Sequence, residues 1–246
     1  MSTEIKILQN LDEISRVAAE LFIEIGNRAI NQNDKFTVAL AGGSTPKSLY
    51  QLLATDEFKN QIDRQKVFFF FGDERNVSPD SDESNFKTAD ENLLKPLQIS
   101  AENVFRWQTE LADSEKIAEN YSKTIVKFFD LTNEEFPRFD LILLGMGDDG
   151  HTASLFPLTD ALNETEKIAV SNHVEKLDAN RLTFTFPTLN NAANVIFLIS
   201  GVSKTNALKE VLEGKSSPEK FPSQNVNPQD GNLFWLIDAP AAQFLK

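Results

Sequence analysis

The sequence predicts an α/β fold: a doubly wound, mostly parallel sheet with helices on both faces. Three observations carry that prediction. Short apolar runs of strand length recur at residues 36–41, 67–71 and 139–144, and uninterrupted apolar strands belong to sheets buried on both faces. Each run stops at glycine: Gly42 and Gly43, Gly72, and Gly145 with Gly147. Amphipathic helical patterns fill the intervals, which is the alternation that parallel strands need for their crossovers.

Taken in order, residues 11–29 set Leu11, Ile14, Val17, Ala18, Leu21, Phe22, Ile25 and Ala29 at helical spacing, with Glu13, Arg16, Glu20 and Glu24 between them. Turn residues 31–34 lead into the first apolar run. Gly42 and Gly43 then turn the chain, and Ser44, Thr45 and Pro46 open a helix through Leu53. Further helices are expected at 84–94 and 114–129, and later strands at 182–186, 195–200 and 233–237. Residues 214–230, rich in Pro, Ser and Asn, read as one long loop. Residues 1–10 alternate charged and apolar residues, lack the basic start and apolar core of a secretion signal, and are assigned to no element. Nothing of linker composition divides the chain, so residues 1–246 read as a single domain of the three-layer, Rossmann-like kind.

Composition narrows the chemistry. Lys and Arg total 24 against 37 Asp and Glu, a formal charge of -13, the wrong sign for a general polyanion binder, so no nucleic-acid partner is expected. No apolar run approaches the roughly 20 residues that cross a bilayer, so no membrane partner is expected either. With no cysteine and two histidines, disulfides, thiol nucleophiles and Cys-ligated zinc are excluded, and one chain cannot supply three imidazoles; no metal site is expected. A cytoplasmic location fits a cysteine-free chain. The 20 phenylalanines read as core filling. Nothing in the sequence points to an oligomeric state.

In open parallel sheets the ligand crevice lies beyond the carboxyl ends of the strands, which makes three loops candidates. Gly42-Gly43-Ser44-Thr45-Pro46 offers small residues, two hydroxyls and a helix start whose free amides suit a phosphate; an ordinary capped turn uses the same residues. It lacks the Gly-Lys-Ser/Thr ending of a nucleotide P-loop, and Pro46 stands where a nucleophile elbow needs its second glycine. Ser44 therefore reads as an anion ligand. Gly72-Asp73-Glu74-Arg75 puts charge at the rim of the core, where Arg75 offers a planar fork to an anionic or polarised oxygen, unless the cluster is a solvated turn. The third loop, residues 145–151, is literally G-x-G-x-x-G. Asp148 and Asp149 would meet a pyrophosphate with carboxylates, and the motif arrives late in the chain, so it is not read as a dinucleotide site. His151 can reach a substrate in the crevice, and Asp149 can orient it. His173 has no recognisable motif around it and reads as a surface residue.

These loops together resemble the 6-phosphogluconolactonase family, itself similar in fold to the glucosamine-6-phosphate isomerase/deaminase family. The resemblance rests on residues 41–46, residues 72–75, Ser84 with Asn85, the long run 144–157, and Gly201-Val202-Ser203-Lys204. It implies hydrolysis of 6-phosphoglucono-1,5-lactone to 6-phosphogluconate in the oxidative pentose phosphate pathway, with no cofactor and the sugar-phosphate lactone as small-molecule partner. His151 would be the general base, held by Asp149, and Arg75 or a glycine-loop amide would meet the oxyanion. The phosphate would rest at Gly42, Gly43, Ser44 and Thr45 with Lys204 as counter-charge and Arg181 as second choice. Asp73, the proton-abstracting base of the isomerase family, is grouped with the substrate-binding residues. Two departures speak against the isomerase: Phe156 stands where that family has Glu, and Arg75 where it has Tyr. Lys220-Phe221-Pro222-Ser223 departs from the Pro-Ala usual in the lactonases. The alternatives are the isomerase/deaminase itself and a non-catalytic sugar-phosphate-binding protein.

Overall fold

Parallel strands covered on both faces have no polar side to show, and the central strands here have almost none. The structure, a computed structural model, describes residues 2–111, 113–132 and 135–246. Its strands are β1 (Ser2–Leu8), β2 (Phe36–Leu40), β3 (Val67–Phe71), β4 (Asp73–Arg75), β5 (Leu141–Leu144), β6 (Ala169–Val174), β7 (Ala179–Phe184), β8 (Asn194–Ile199) and β9 (Asn232–Asp238). Its helices are α1 (Leu11–Asn33), α2 (Ser44–Leu53), α3 (Asn85–Ala89), α4 (Ser114–Phe129), α5 (Phe186–Asn190), α6 (Thr205–Glu213) and α7 (Ala239–Ala242). Six strands form one sheet in the order β1-β9-β8-β5-β2-β3, with every pairing parallel. All residues of β2, β5 and β8 are buried. No helix among the described residues is long and apolar enough to cross a membrane.

The strand order fixes the crevice. From β2 the chain first adds β3 on one side, then returns to add β5, β8 and β9 on the other. The direction of winding reverses between β2 and β5, which separates the loops that follow them and opens a cleft at their carboxyl ends. Phenylalanine fills the layer beside β3, as expected: the Phe70 ring lies 4.7 Å from Phe105, 5.1 Å from Phe128 and 5.1 Å from Phe139, distances at which aromatic pairs attract beyond their area burial.

Several elements differ from the sequence reading. Residues 2–8 form a strand after all, at the edge of the sheet, where one neighbour suffices and an apolar run is not required. The run read as a strand at 182–186 is β7, which ends at Phe184, while Phe186 opens α5. It belongs not to the parallel sheet but to a second, antiparallel one of order β4-β7-β6. Asn180 and Arg181, too polar to mark a buried strand, are carried into it by cross-strand pairing with β6 and β4. The helix expected over 84–94 is α3 followed by one π-helical turn, Asp90–Leu94. The helix α6 was not anticipated: its buried positions are only Thr205, Ala207 and Leu208, too few for a periodic signal.

Glu74 joins the two sheets to α3. It is buried, and its carboxylate accepts the N–H groups of Arg75, Asn85 and Phe86, each at 2.8 Å, and the Ser84 hydroxyl at 3.2 Å. Burial pushes this carboxyl up, and the converging amides pull it back down without cancelling the rise. Glu74→Ala strands three buried or half-buried N–H donors, each worth about 1–3 kcal/mol when unsatisfied. Urea unfolding is expected to show a loss of roughly 3 kcal/mol or more, with an intermediate loss for Glu74→Gln, which keeps one accepting oxygen but turns an NH2 towards the donors at the other.

Candidate active site

A cavity of about 410 Å³ lies at the carboxyl ends of the parallel strands. Gly42 and Gly43 enter it from β2, Asp73 and Arg75 from β3 and β4, residues 145–148 and His151 from β5, and Lys204 from the turn after β8. The second sheet closes it with Arg181 of β7 and Lys176 of the β6–β7 turn.

The loop after β5 is a tightly bonded coil. Gly147 N–H donates to the His151 carbonyl at 2.8 Å, and the Thr152 hydroxyl to the Gly145 carbonyl at 2.9 Å. The His151 ring packs directly on Gly147, where any β-carbon would overlap its Nδ1 and Cε1. Gly150 has φ of +78° and lies against Phe221, a conformation that favours glycine. Its carbonyl accepts both the N–H and the hydroxyl of Ser223, at 3.0 and 2.8 Å. The departure from family pattern at residues 220–223 thus falls in the segment that braces this coil. No helix follows it; residues 152–155 form a short bridged turn. The G-x-G-x-x-G match therefore lacks the helix N-terminus on which a dinucleotide pyrophosphate rests.

His151 is held by two neighbours, and a third supports them. Its Nδ1 lies 2.6 Å from Asp149 Oδ1, and its N–H donates to the same oxygen at 3.1 Å. Phe156 stacks on the imidazole at 4.0 Å between centroids and 25° between planes. Lys176 bonds the other Asp149 oxygen and sits 5.1 Å over the Phe156 ring. Burial alone would raise the Asp149 carboxyl, but hydrogen bonds from His151 and Lys176 outweigh it and hold the group well below the ordinary aspartate range. An ionised Asp149 can only accept, so Nδ1 is the donor of the bond between them.

The facing wall is built on β4 and β7. Asp73 is buried, accepting from the Ser154 hydroxyl at 2.7 Å and from Asn85 Nδ2 at 3.1 Å. Burial raises its carboxyl despite the Ser154 hydrogen bond and the charges of Arg75, His151 and Arg181. Asn85 Oδ1 is buried on the cavity wall without a hydrogen-bond partner among the described residues. Arg75 and Arg181 stand directly opposite each other in the β4–β7 register. Like charges so placed repel. Burial lowers the Arg181 guanidinium, and the charge of Arg75 lowers it further. Arg75 donates to the Glu83 carbonyl; the Arg181 side chain has neither ion pair nor hydrogen bond among the described residues, and Lys204 has no ion pair there. Four cationic side chains, Arg75, Lys176, Arg181 and Lys204, thus face two acids, Asp73 and Asp148, in a protein of net charge -13.

Of the residues the sequence singles out, Gly42, Gly43, Asp73, Arg75, His151, Arg181 and Lys204 lie together on the cavity wall, with Asp149 bonded behind His151. Ser44 and Thr45 do not line it; Gly43, with φ of +101°, caps α2 and turns the chain away, leaving Ser44 exposed at the rim. No protein acceptor meets the Ser44 or Thr45 N–H among the described residues, so the helix start stays open to an anion. His173 is exposed, as expected. Lys176 escaped notice, because a lysine in a polar turn carries no sequence signal. Asn85 and Ser154 stood inside the quoted motifs without a role.

Residues 9–235 match the family described as glucosamine-6-phosphate isomerases/6-phosphogluconolactonase, and the chain belongs to that family. Within it, the chain is 42% identical over 220 residues to the 6-phosphogluconolactonase of Synechocystis sp., covering 89% of this chain and 88% of that one. It is 38% identical over 247 residues to the 6-phosphogluconolactonase of Nostoc sp., covering 100% of both. The solved 6-phosphogluconolactonase from Trypanosoma brucei superposes with a TM-score of 0.89 at 29% identity, over 100% of this chain and 99% of that one. A glucosamine-6-phosphate deaminase shares the fold, with a TM-score of 0.79 at 23% identity over 98% of this chain and 99% of that one.

The depressed Asp149 carboxyl makes a pH-dependent contribution to stability. A group whose folded-state pKa is lowered stabilises above its ordinary value, about 3.9 for Asp, and that gain disappears as pH falls. Asp149→Asn should therefore melt below the unsubstituted protein at pH 6, and the gap should close on acidification below about pH 4. Thermal melts across that range check it.

Proposed function

We propose that the chain is a lactone hydrolase that converts 6-phosphoglucono-1,5-lactone to 6-phosphogluconate, the hydrolytic step of the oxidative pentose phosphate pathway. The relatives named above support the reaction, and one observation carries the mechanism: an imidazole held through Nδ1 by Asp149, on a cavity whose other wall presents two opposed, under-partnered arginines. A cytoplasmic location suits a charged substrate that does not cross bilayers.

In this reading His151 Nε2 takes a proton from water as its oxygen attacks the lactone carbonyl. Negative charge then develops on the carbonyl oxygen, where Arg75 or an amide of residues 145–146 donates to it. Collapse of the tetrahedral intermediate breaks the bond to the ring oxygen, and the imidazolium returns its proton there. Asp149 stabilises the imidazolium in between. The phosphate sits at the rim, on the open amides of Gly43 and the first turn of α2, with Lys204 as its counter-charge. Arg181 is the second choice for that role. Asp73, bonded to Ser154 and Asn85, holds the wall between the arginines and His151 in place.

The isomerase/deaminase reading is weaker for a physical reason. It needs a carboxylate to help the histidine open a sugar ring, and the position that would supply it holds Phe156, whose ring covers one face of the imidazole. Acid release from freshly made 6-phosphogluconolactone, with ammonia release from glucosamine 6-phosphate as the counter-assay, separates the two; the first is expected and the second is not. His151→Gln should lower kcat by about 100-fold or more. A binding protein without catalysis would show no turnover to lose.

Lys204→Ala should raise KM for the phosphorylated lactone, by about tenfold or more, while leaving kcat and the KM for the unphosphorylated lactone nearly unchanged, the signature of binding lost equally from ground and transition states. Equal losses on both lactones would move the phosphate to the arginine pair.

A further inference from the structure

The two edges of the six-stranded sheet are treated differently. The β3 edge is covered: Phe105 N–H donates to the Phe69 carbonyl at 2.8 Å, Trp107 Nε1 to the Phe71 carbonyl at 3.0 Å, and Asn103 Nδ2 to the Val67 carbonyl at 3.0 Å. The β1 edge is bare. Among the described residues, no hydrogen bond outside the β9 ladder engages the main chain of residues 2–8. Ile5 and Ile7, on one face of this strand, remain 49% and 56% exposed, and no proline or glycine interrupts its seven residues. Such a strand is a template for another.

The sequence of β1 states which strand fits. Side chains alternate faces, so Thr3, Ile5 and Ile7 share one face and Glu4 and Lys6 the other. Two copies laid antiparallel about a two-fold axis through Ile5 set Ile5 against Ile5, Ile7 against Thr3, and Glu4 against Lys6 of the second copy, twice over. The intrastrand Lys6–Glu4 pair, 3.3 Å apart and partly exposed, then becomes a square of four charges alternating in sign. Opposite charges directly across a strand pair attract, and like charges repel. A shift of two residues either way puts Glu4 against Glu4 or Lys6 against Lys6, and a shift of one mixes the apolar and charged faces. The charge pattern therefore selects a single register.

We propose that β1 is an interaction surface for a second copy of this chain, joined by antiparallel β1–β1 pairing into one sheet of twelve strands. Closed two-fold pairing of this kind uses the same patch on both copies and removes the bare edge from each. Two seven-residue strands bury less than the roughly 1,200–2,000 Å² of a standard interface, so the association is reversible and concentration-dependent. None of residues 2–8 lines the cavity, so pairing leaves the site open.

Sedimentation velocity over a concentration series at about 150 mM salt, where the repulsion of two net-negative copies is screened beyond about 8 Å, tests the proposal. The unsubstituted protein is expected to shift from monomer towards dimer as concentration rises. Glu4→Lys and Lys6→Glu, each of which sets like charges face to face, are expected to weaken the dimer by about tenfold or more. The double substitution Glu4→Lys with Lys6→Glu is expected to restore it. An unchanged melting temperature and unchanged lactone hydrolysis in all three variants keep folding out of the comparison. A protein that stays monomeric throughout, single variants that associate as well as the parent, or a double variant no better than the singles would each overturn the assignment.

Discussion

The crevice exists because the strand order reverses between β2 and β5. A parallel sheet must send each connection over one of its faces, and where the connections change direction the loops on either side diverge. That one constraint places the glycine turn after β2 beside the coil after β5. The neighbouring strands β3 and β8 add Asp73, Arg75 and Lys204 at the same end. No single loop holds the chemistry. The fold brings together four chain segments separated by as much as the distance from Gly42 to Lys204 in sequence, and the second sheet contributes Lys176 and Arg181 as a fifth wall.

Electrostatics inside the crevice run against the protein as a whole. A net charge of -13 would repel an anionic substrate at long range, but exposed charges act only over about 8–10 Å in physiological salt. Within that radius the cavity is cationic, and part of its positive charge is unrelieved. Arg75 and Arg181 are placed opposite each other across β4 and β7, and burial makes it costlier to keep Arg181 charged without an anion nearby. An arrangement that is unfavourable in the empty protein becomes favourable once a phosphate or a developing oxyanion enters, which is how a site gains selectivity for charge rather than mere affinity.

Much of this was legible in the sequence, and the parts that were not share a cause. Buried parallel strands announce themselves by composition, so β2, β3, β5, β8 and β9 were readable, as were the loops that end three of them. What composition cannot show is pairing. The edge strand β1 needs no apolar run, and Asn180 and Arg181 become strand only because β4 and β6 flank them. The same limit applied in the site. His151 and Asp149 lie two residues apart and declare their hydrogen bond, whereas Lys176 reaches Asp149 from a separate turn, and the buried contact between Asp73 and Ser154 spans 81 positions. Ser44 and Thr45 stand at the rim rather than on the cavity wall for a related reason: their place next to Gly43 in sequence said nothing of the direction in which its cap turns the chain.

Phe156 marks the point where a shared scaffold divides between two chemistries. A carboxylate at that position would place a second titrating group beside His151 and draw the imidazole towards its protonated form. An aromatic ring stacked at 4.0 Å adds no charge, excludes water from one face of the imidazole and leaves Asp149 as the acidic partner of the ring. Lys176, seated over the same phenyl ring and bonded to Asp149, compensates that carboxylate from behind. In the hydrolytic reading proposed above, ionised aspartate and ammonium hold the proton on Nδ1 while Nε2 exchanges one with water. Hydrolysis of an ester needs that one exchangeable proton, taken and given back at a single nitrogen, whereas moving hydrogen between sugar carbons needs a further base for the carbon-bound proton. Asp73 is buried with its carboxyl raised and both oxygens bonded to Ser154 and Asn85, which in the proposed reading leaves it a structural task. In the proposed reading, the division between the two reactions therefore lies less in His151 than in what is stacked against it.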